Sequence, residues 1–232
     1  VRVADYSQLH QAGEIELVGL HLTPGLIYGT FRHDLEGMGY KTKDMLANVV
    51  INYKADAQEG SLHVDRLNVT IPDVAEGELS MLLSGLPVDE ASGLGMSLDT
   101  ANNVVQSLKL TLDDDLLMQR FFVQEAERMG LSVEEFKTQI TSDMDMLLGS
   151  QIDQDWQKDR LALLSAVRNF VVKPERLVVE INPPGEISLA DMWDNLLIQM
   201  TFTDRASAEI VYGKKMQAGE LGLTARAESG DK

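Results

Sequence analysis

Histidine and acidic residues are the side chains of this sequence that could support metal or acid–base chemistry. The 232-residue chain has four histidines, and His21, His33 and His63 fall on or beside predicted strands. A zinc-type centre needs three such ligands, or two with a carboxylate, on one face. Strands permit that convergence but the spacing does not require it. These three residues are therefore weak metal-site candidates, beside the simpler interpretation of surface or half-buried histidines.

The acidic residues are numerous but follow no ligand pattern. Residues 113–115 are three consecutive aspartates, whereas an EF-hand loop needs oxygens at alternating positions, a central glycine and a terminal glutamate. Negative charge is favourable where a helix begins, so we interpret this run as an acidic helix start. With 37 acidic residues, some pair always looks suitable for hydrolysis, and an acid-based, metal-dependent hydrolase is an alternative that no motif supports.

Composition excludes several other classes of chemistry. The absence of cysteine excludes a disulfide scaffold, a thiolate zinc site and a cysteine nucleophile. The sequence has no Gly-x-Ser-x-Gly, dinucleotide or phosphate-loop motif. A net charge of −17 argues against nucleic-acid binding, which needs clustered Lys and Arg. We therefore assign no catalytic residue and no cofactor.

Methionines are enriched in the predicted helices. The chain has eleven Met and only two Trp, a composition typical of adaptable packing. Met118, Met129, Met144 and Met192 could line a groove for varied apolar ligands, although core filling is the commoner use of such residues. The helical stretch 113–159 carries twelve acidic and four basic residues. It is interpreted either as a solvated helix face or as a surface for a basic partner.

Polar and apolar residues alternate in the first part of the chain, and glycine-containing turns interrupt the alternation, which predicts strands. The predicted strands are residues 14–20, 26–35, 45–53, 61–71 and 78–86. The alternation slips between Val64 and Leu67, which predicts a β-bulge. The short connections favour an antiparallel meander.

The second part of the chain mixes strands with helices. After a break at 87–103, residues 104–112 and 175–181 are predicted as strands that return to the first sheet. The predicted helices are residues 116–129, 132–149, 153–172 and 188–200. This order is typical of an α+β fold in which helices cover one curved sheet. We predict a single domain over 1–217, mostly β over 1–103 and mixed over 104–217, and a flexible tail at 218–232.

Part of the sequence resembles a known class of proteins, and the resemblance rests on residues 108–115, 125–132 and 167–189. They follow the order strand, acid, helix, then F-x-x-x-P-x-x-L and a strand that closes on prolines. This pattern, over about 104–200, resembles poorly characterised exported proteins of Gram-negative bacteria. The leucine-rich strands also resemble, more generally, β-rich periplasmic proteins that handle lipid. The resemblance implies a periplasmic or otherwise exported protein and supplies no catalytic residue.

These features favour a non-enzymatic module of the cell envelope. We expect a scaffold or binding protein for a protein partner or an apolar ligand. No stretch approaches the ~18–20 apolar residues of a membrane helix, so no membrane-spanning segment is predicted in this chain. The first residues lack both a signal-peptide pattern and an initiator Met, so we expect a targeting segment before Val1.

Overall fold

The fold is one antiparallel sheet that helices cover in part. The computed structural model describes residues 2–3, 12–22, 34–56, 59–86, 88–89, 95–96, 103–149, 158–201 and 221–229. The strands are β1 (Arg2–Val3), β2 (Ala12–His21), β3 (Leu46–Asp56), β4 (Ser61–Ile71), β5 (Ala75–Ser84), β6 (Val88–Asp89), β7 (Gly95–Met96), β8 (Val104–Asp114), β9 (Arg176–Ile181) and β10 (Leu223–Glu228). The helices are α1 (Leu117–Met129), α2 (Val133–Gly149), α3 (Lys158–Val172) and α4 (Leu189–Thr201).

The topology confirms the predicted α+β class. Eight strands pair in the order β1-β2-β3-β4-β5-β8-β9-β10, every pair antiparallel, and β6 pairs with β7 separately. The meander from β2 to β5 continues directly into β8 and β9, so the returning strands do rejoin the first sheet. The sheet is open and curved.

The strand register separates apolar from polar side chains. One row across the sheet consists of Ile15, Ile51, Leu67, Leu79, Leu110, Val179 and Ala225, each opposite the next. The adjacent row on the same face consists of Leu17, Val49, Val69, Gly77, Leu112, Leu177 and Ala227. Because successive side chains alternate between faces, this face is apolar from β2 to β10.

Bulges preserve this separation where the alternation of the sequence slips. In β4 the register shifts between Val64 and Leu67, as the sequence predicts, so both side chains remain on the apolar face. A second shift lies between Leu17 and Leu20 in β2, where Gly19 has φ 67° and its amide donates to Asn48 Oδ1 at 2.9 Å. Each extra residue restores the alternation for the remainder of its strand.

The opposite face carries charged side chains in cross-strand pairs. Arg66 Nε lies 2.8 Å from Glu78 Oε2, and Arg176 Nε donates to Asp113 Oδ1 at 2.6 Å. All four side chains are partly exposed. Each such pair contributes at most about 1 kcal/mol because water screens it. The pairs nevertheless mark this face as the solvated one.

Separate clusters cover the two ends of the apolar face. At one end, α4 packs over a cluster that includes Leu83, Val105 and Met192, which are 1% exposed or less. At the other end, residues 34–45 pack Leu35 and Tyr40 around Val74. Helix α3 packs mainly on β10 and to a smaller extent on β9, and Ala162 and Leu163 contact the first cluster.

The helical layer has its own core and its own caps. Phe122, Ala126, Phe136 and Val171 form a buried cluster between α1, α2 and α3. The predicted capping box is present, since Ser132 N donates to Glu135 Oε2 at 2.8 Å and Glu135 N to Ser132 Oγ at 3.3 Å. Gly130 ends α1 in the left-handed conformation.

Two predicted segments differ from the structure. Residues 34–37, placed at the end of a strand over 26–35, form a helical turn, and residues 26–33 lie outside the described residues. Within the predicted flexible tail, Leu223–Glu228 is instead the strand β10, paired with β9. Asp159 Oδ1 accepts a hydrogen bond from Leu223 N at 3.0 Å, which fastens the start of this strand to α3.

Replacing Gly222 with alanine should destabilise the fold. Gly222 has φ 56°, and an added Cβ would overlap the carbonyl oxygen of Asn182. The left-handed conformation alone costs an alanine about 1–2 kcal/mol, so we expect Gly222→Ala to lower the free energy of unfolding by at least about 2 kcal/mol. Gly149→Ala is the control, because its added methyl meets no described atom within 4 Å. Equal urea midpoints for the two variants would contradict this explanation.

The capping box should make stability depend on pH. Hydrogen bonds from the Ser132 hydroxyl and amide lower the pKa of Glu135. A lowered pKa adds stability above the ordinary glutamate range, about 4.3, and this stability is lost as the pH falls through the folded pKa. We therefore expect the difference in melting temperature between wild type and Ser132→Ala to shrink between pH 7 and pH 3. The exposed Ser165→Ala should show no such trend.

Candidate ligand-binding site

The middle of the apolar face is partly exposed. We call it the central band, and it comprises Ile15, Leu17, Val49, Ile51, Leu67, Val69, Gly77, Leu79, Leu110 and Leu112. None of these residues belongs to the three buried clusters described above. Leu110 is 44% exposed. The band is thus the part of the apolar face that lies between the two covered ends and α3.

Strand spacing gives the dimensions of the central band. It crosses β2, β3, β4, β5 and β8, and neighbouring strands lie about 4.8 Å apart, so its length is about 19 Å. Its two rows are separated by two residues along each strand, about 7 Å. One acyl chain spans one leaflet of the bilayer hydrocarbon core, which is about 15 Å thick. The band is long enough for such a chain.

Gly77 forms a notch in the central band. It lies between Val69 and Leu112 in its row, and no described atom lies within 4 Å of the position that its Cβ would occupy. Gly13 contrasts with it, because a Cβ there would press against the ring of Tyr53, with Cε1 at 3.0 Å. The face is therefore filled at Gly13 and open at Gly77.

The central band offers contact surface without reactive groups. Neither row contains an ionisable side chain. The phenol of Tyr53 lies on the same face, two residues from Ile51 along β3, and burial raises its pKa. An apolar group could bind here through dispersion and loss of hydration, but the described residues of the two rows supply no acid, base or nucleophile.

The candidate histidines are not brought together. His21 lies opposite Leu46 on β3, and His63 lies opposite Lys54. Eight residues of strand separate these two positions, which is about 27 Å. His33 lies outside the described residues. Among the residues that are described, no group of three or more histidines and acids is close enough to hold a metal ion.

His63 has an electrostatic partner on the solvated face. Its Nδ1 lies 3.3 Å from Asp65 Oδ1, and Lys54 Nζ lies 3.0 Å from Asp65 Oδ2. The hydrogen bond from Lys54 is the largest cause that lowers the pKa of Asp65. These side chains surround the bulge of β4 and are at least a third exposed, an arrangement typical of a surface ion pair.

Of the aspartates 113–115, which the sequence predicts as an acidic helix start, Asp114 contacts the first turn of α1. Asp114 Oδ1 accepts a hydrogen bond from Met118 N at 2.9 Å, which satisfies one amide in the first turn. Asp113 is held by Arg176 on the opposite face of the sheet. Both residues therefore have structural partners that account for their charge.

The four methionines of the predicted groove occupy different places. Met118 and Met144 pack against the helical cluster. Met192 is fully buried under the sheet end, whereas Met129 is 43% exposed at the end of α1. Helical periodicity in the sequence could not distinguish these environments, because it does not show which cluster each helix face meets.

A different groove lies beside α1, and we call it the α1 groove. The helical turn 34–37 and Met38 pack across α1 at Gln124, leaving one cavity of about 490 Å³ and another of about 360 Å³. Its lining residues are Asp34, Gly37, Met38, Leu116, Leu117, Met118, Gln119, Arg120, Phe121, Val123, Gln124, Glu125 and Glu127. Of these, sequence reasoning identified only Met118 as a ligand contact.

Comparison with known proteins identifies a family. A family model with the description "Uncharacterized protein" matches residues 68–208, more than half of the chain, and the chain belongs to this family. The matched part begins in β4 and extends beyond α4. No curated protein and no solved structure matches the chain. None of the helices among the described residues has the length and apolar character needed to cross a membrane.

Proposed function

We propose that this protein is a non-enzymatic binding module of the cell envelope that holds the acyl chain of a lipid on the central band. The main observation that supports this proposal is the notch at Gly77 within an aliphatic and partly exposed face. Folded proteins rarely expose a contiguous apolar surface of more than a few hundred Å², and where they do, the surface commonly marks a binding site. An open, uncharged band in contact with water is the kind of surface that a hydrocarbon chain would stabilise.

The chemistry of the band favours an acyl chain over an extended peptide. A peptide on this face would bury backbone N–H and C=O groups against aliphatic side chains that offer no hydrogen bonds. Each unpaired polar group of that kind costs on the order of 1–3 kcal/mol. A hydrocarbon chain has no such groups and gains up to about 0.8 kcal/mol for each fully buried methylene. Because an open face covers only one side of the chain, we expect affinities in the micromolar range.

The envelope location is also a proposal. It is supported by the resemblance of residues 104–200 to exported proteins of Gram-negative bacteria. Fractionation of cells that express the native full-length gene tests it. We expect the protein to appear with envelope or osmotic-shock markers, and recovery with a cytosolic marker alone would contradict the location.

Filling the notch should abolish lipid binding. Gly77→Trp places a large ring over the band, so we expect at least a tenfold loss of affinity for a fluorescent fatty-acid probe, measured by titration. Ser80→Trp is the matched control, because Ser80 lies on the other face of the same strand, opposite Lys109. It should change the affinity less than twofold. Equal affinities for both variants and wild type would refute the site.

A milder pair of variants keeps the test decisive if tryptophan perturbs folding. Leu110→Gln changes a side chain that is already 44% exposed, and Lys109→Gln changes its neighbour on the solvated face. We expect only Leu110→Gln to weaken probe binding, by about threefold to tenfold, while the melting temperatures of the two remain similar. Failure of wild type to bind any acyl probe, with no lipid seen by native mass spectrometry after incubation with a lipid extract, would overturn the proposal.

A further inference from the structure

The larger cavity of the α1 groove combines apolar side chains with acidic ones. Its volume of about 490 Å³ is within the range of cavities that hold small molecules. Its apolar lining consists of Met38, Leu117, Met118 and Phe121. Asp34 and Glu125 also line it, and among the described residues no basic side chain does. The cavity therefore presents two carboxylates beside an apolar wall.

The smaller cavity of the groove differs from the larger one in its charge. It is lined by one acid, Glu127, and one base, Arg120. The guanidinium of Arg120 lies 4.2 Å from the ring centroid of Tyr40, so this cation has an aromatic partner of its own. The acidic charge of the larger cavity is thus not balanced by a basic side chain in its lining.

The carboxylate of Glu125 is held in place through only one of its two oxygens. Nε and Nη2 of Arg128 both donate to Glu125 Oε2, at 2.9 and 2.6 Å. Among the described residues, no group donates to Oε1. The side chain of Glu125 is 19% exposed, whereas that of Arg128 is 69% exposed. A cation in the cavity could pair with this carboxylate where water screens the attraction less than at the open surface.

Phe121 gives the cavity an aromatic surface that is packed from behind. The centroid of its ring lies 5.8 Å from that of Phe122 and 6.4 Å from that of Phe136, and both of these side chains are buried. Aromatic rings attract organic cations. The thioethers of Met38 and Met118 are polarizable and adapt to the shape of an apolar group. Both parts of the lining therefore suit a ligand that is apolar and positively charged.

We propose that this cavity binds a small organic cation, in which an ammonium group is attached to a compact apolar body. The apolar body lies on Phe121 and the two methionines, and the ammonium group pairs with Asp34 and Glu125. A neutral apolar ligand would remove water from two carboxylates without replacing it, which is costly, and an anion would be repelled. The net charge of −17 favours the encounter with a cation. The inference is independent of the proposed lipid site, because the cavity and the central band share no residue.

Two probes that share one apolar cage test the inference by isothermal titration calorimetry on the full chain. 1-Aminoadamantane carries a positive charge, and 1-adamantanecarboxylate carries a negative one. We expect the amine to bind and the carboxylate to bind at least tenfold more weakly. Failure of the amine to bind, or equal affinities for the two probes, would overturn the inference.

A matched pair of variants on α1 locates the charge that the amine meets. Glu125→Gln should weaken binding of 1-aminoadamantane at least fivefold, because it removes a carboxylate of the larger cavity. Glu127→Gln makes the same charge change on the same helix but in the smaller cavity, so it should weaken binding less than twofold. Equal losses in the two variants would mean that only the general charge attracts the amine, and would contradict the site.

Methyl NMR of the protein labelled with ¹³C-methionine tests the position of the apolar body. The signals of Met38 and Met118 should shift when 1-aminoadamantane is added, while that of Met146, which is 67% exposed on α2, should not. Shifts confined to other methionines would contradict the site. Gly77→Trp should leave binding of the amine intact, which separates this test from that of the lipid site. Loss of amine binding in this variant would assign the amine to the central band and overturn the inference.

Discussion

The confinement of apolar side chains to one face of the sheet is the constraint on which the structure depends. Strict alternation would invert the face of a long strand after any slip in its pattern. Bulges prevent this. The extra residue after Val64 keeps Leu67 beside it on the apolar face, and Gln106 has the same effect between Val105 and Leu108. A continuous apolar face seven strands wide results, and it needs a cover.

Among the described residues, the cover is assembled from separate parts of the chain and leaves the central band partly exposed. Ala225 and Ala227 are small enough for α3 to approach the last strand closely, and Asp159 secures that contact through the amide of Leu223. Helix α4 and the segment 34–45 close the two ends. Because each cover packs on its own cluster, no described element supplies a core for the middle of β3, β4 and β5. The central band stays partly exposed because each covering element packs over a different part of the sheet.

Local rules explain how much of this architecture the sequence predicts. Alternation identifies β2, β3, β4, β5, β8 and β9, and the Ser132–Glu135 pair identifies the start of α2. The strand β10 is missed because its pattern is short and alanine-rich, and it is held by α3 and β9 rather than by local preference. The central band is missed because it exists only once the register of five strands is fixed. The methionine groove is not assembled as predicted, since Met192 and Met129 lie in unrelated environments.

The two partly open surfaces differ in their chemistry. The central band is aliphatic and uncharged, so an apolar group gains there from loss of hydration while no side chain of the band selects a polar group. The α1 groove instead mixes apolar side chains with both acidic and basic ones, Glu127 and Arg120 among them.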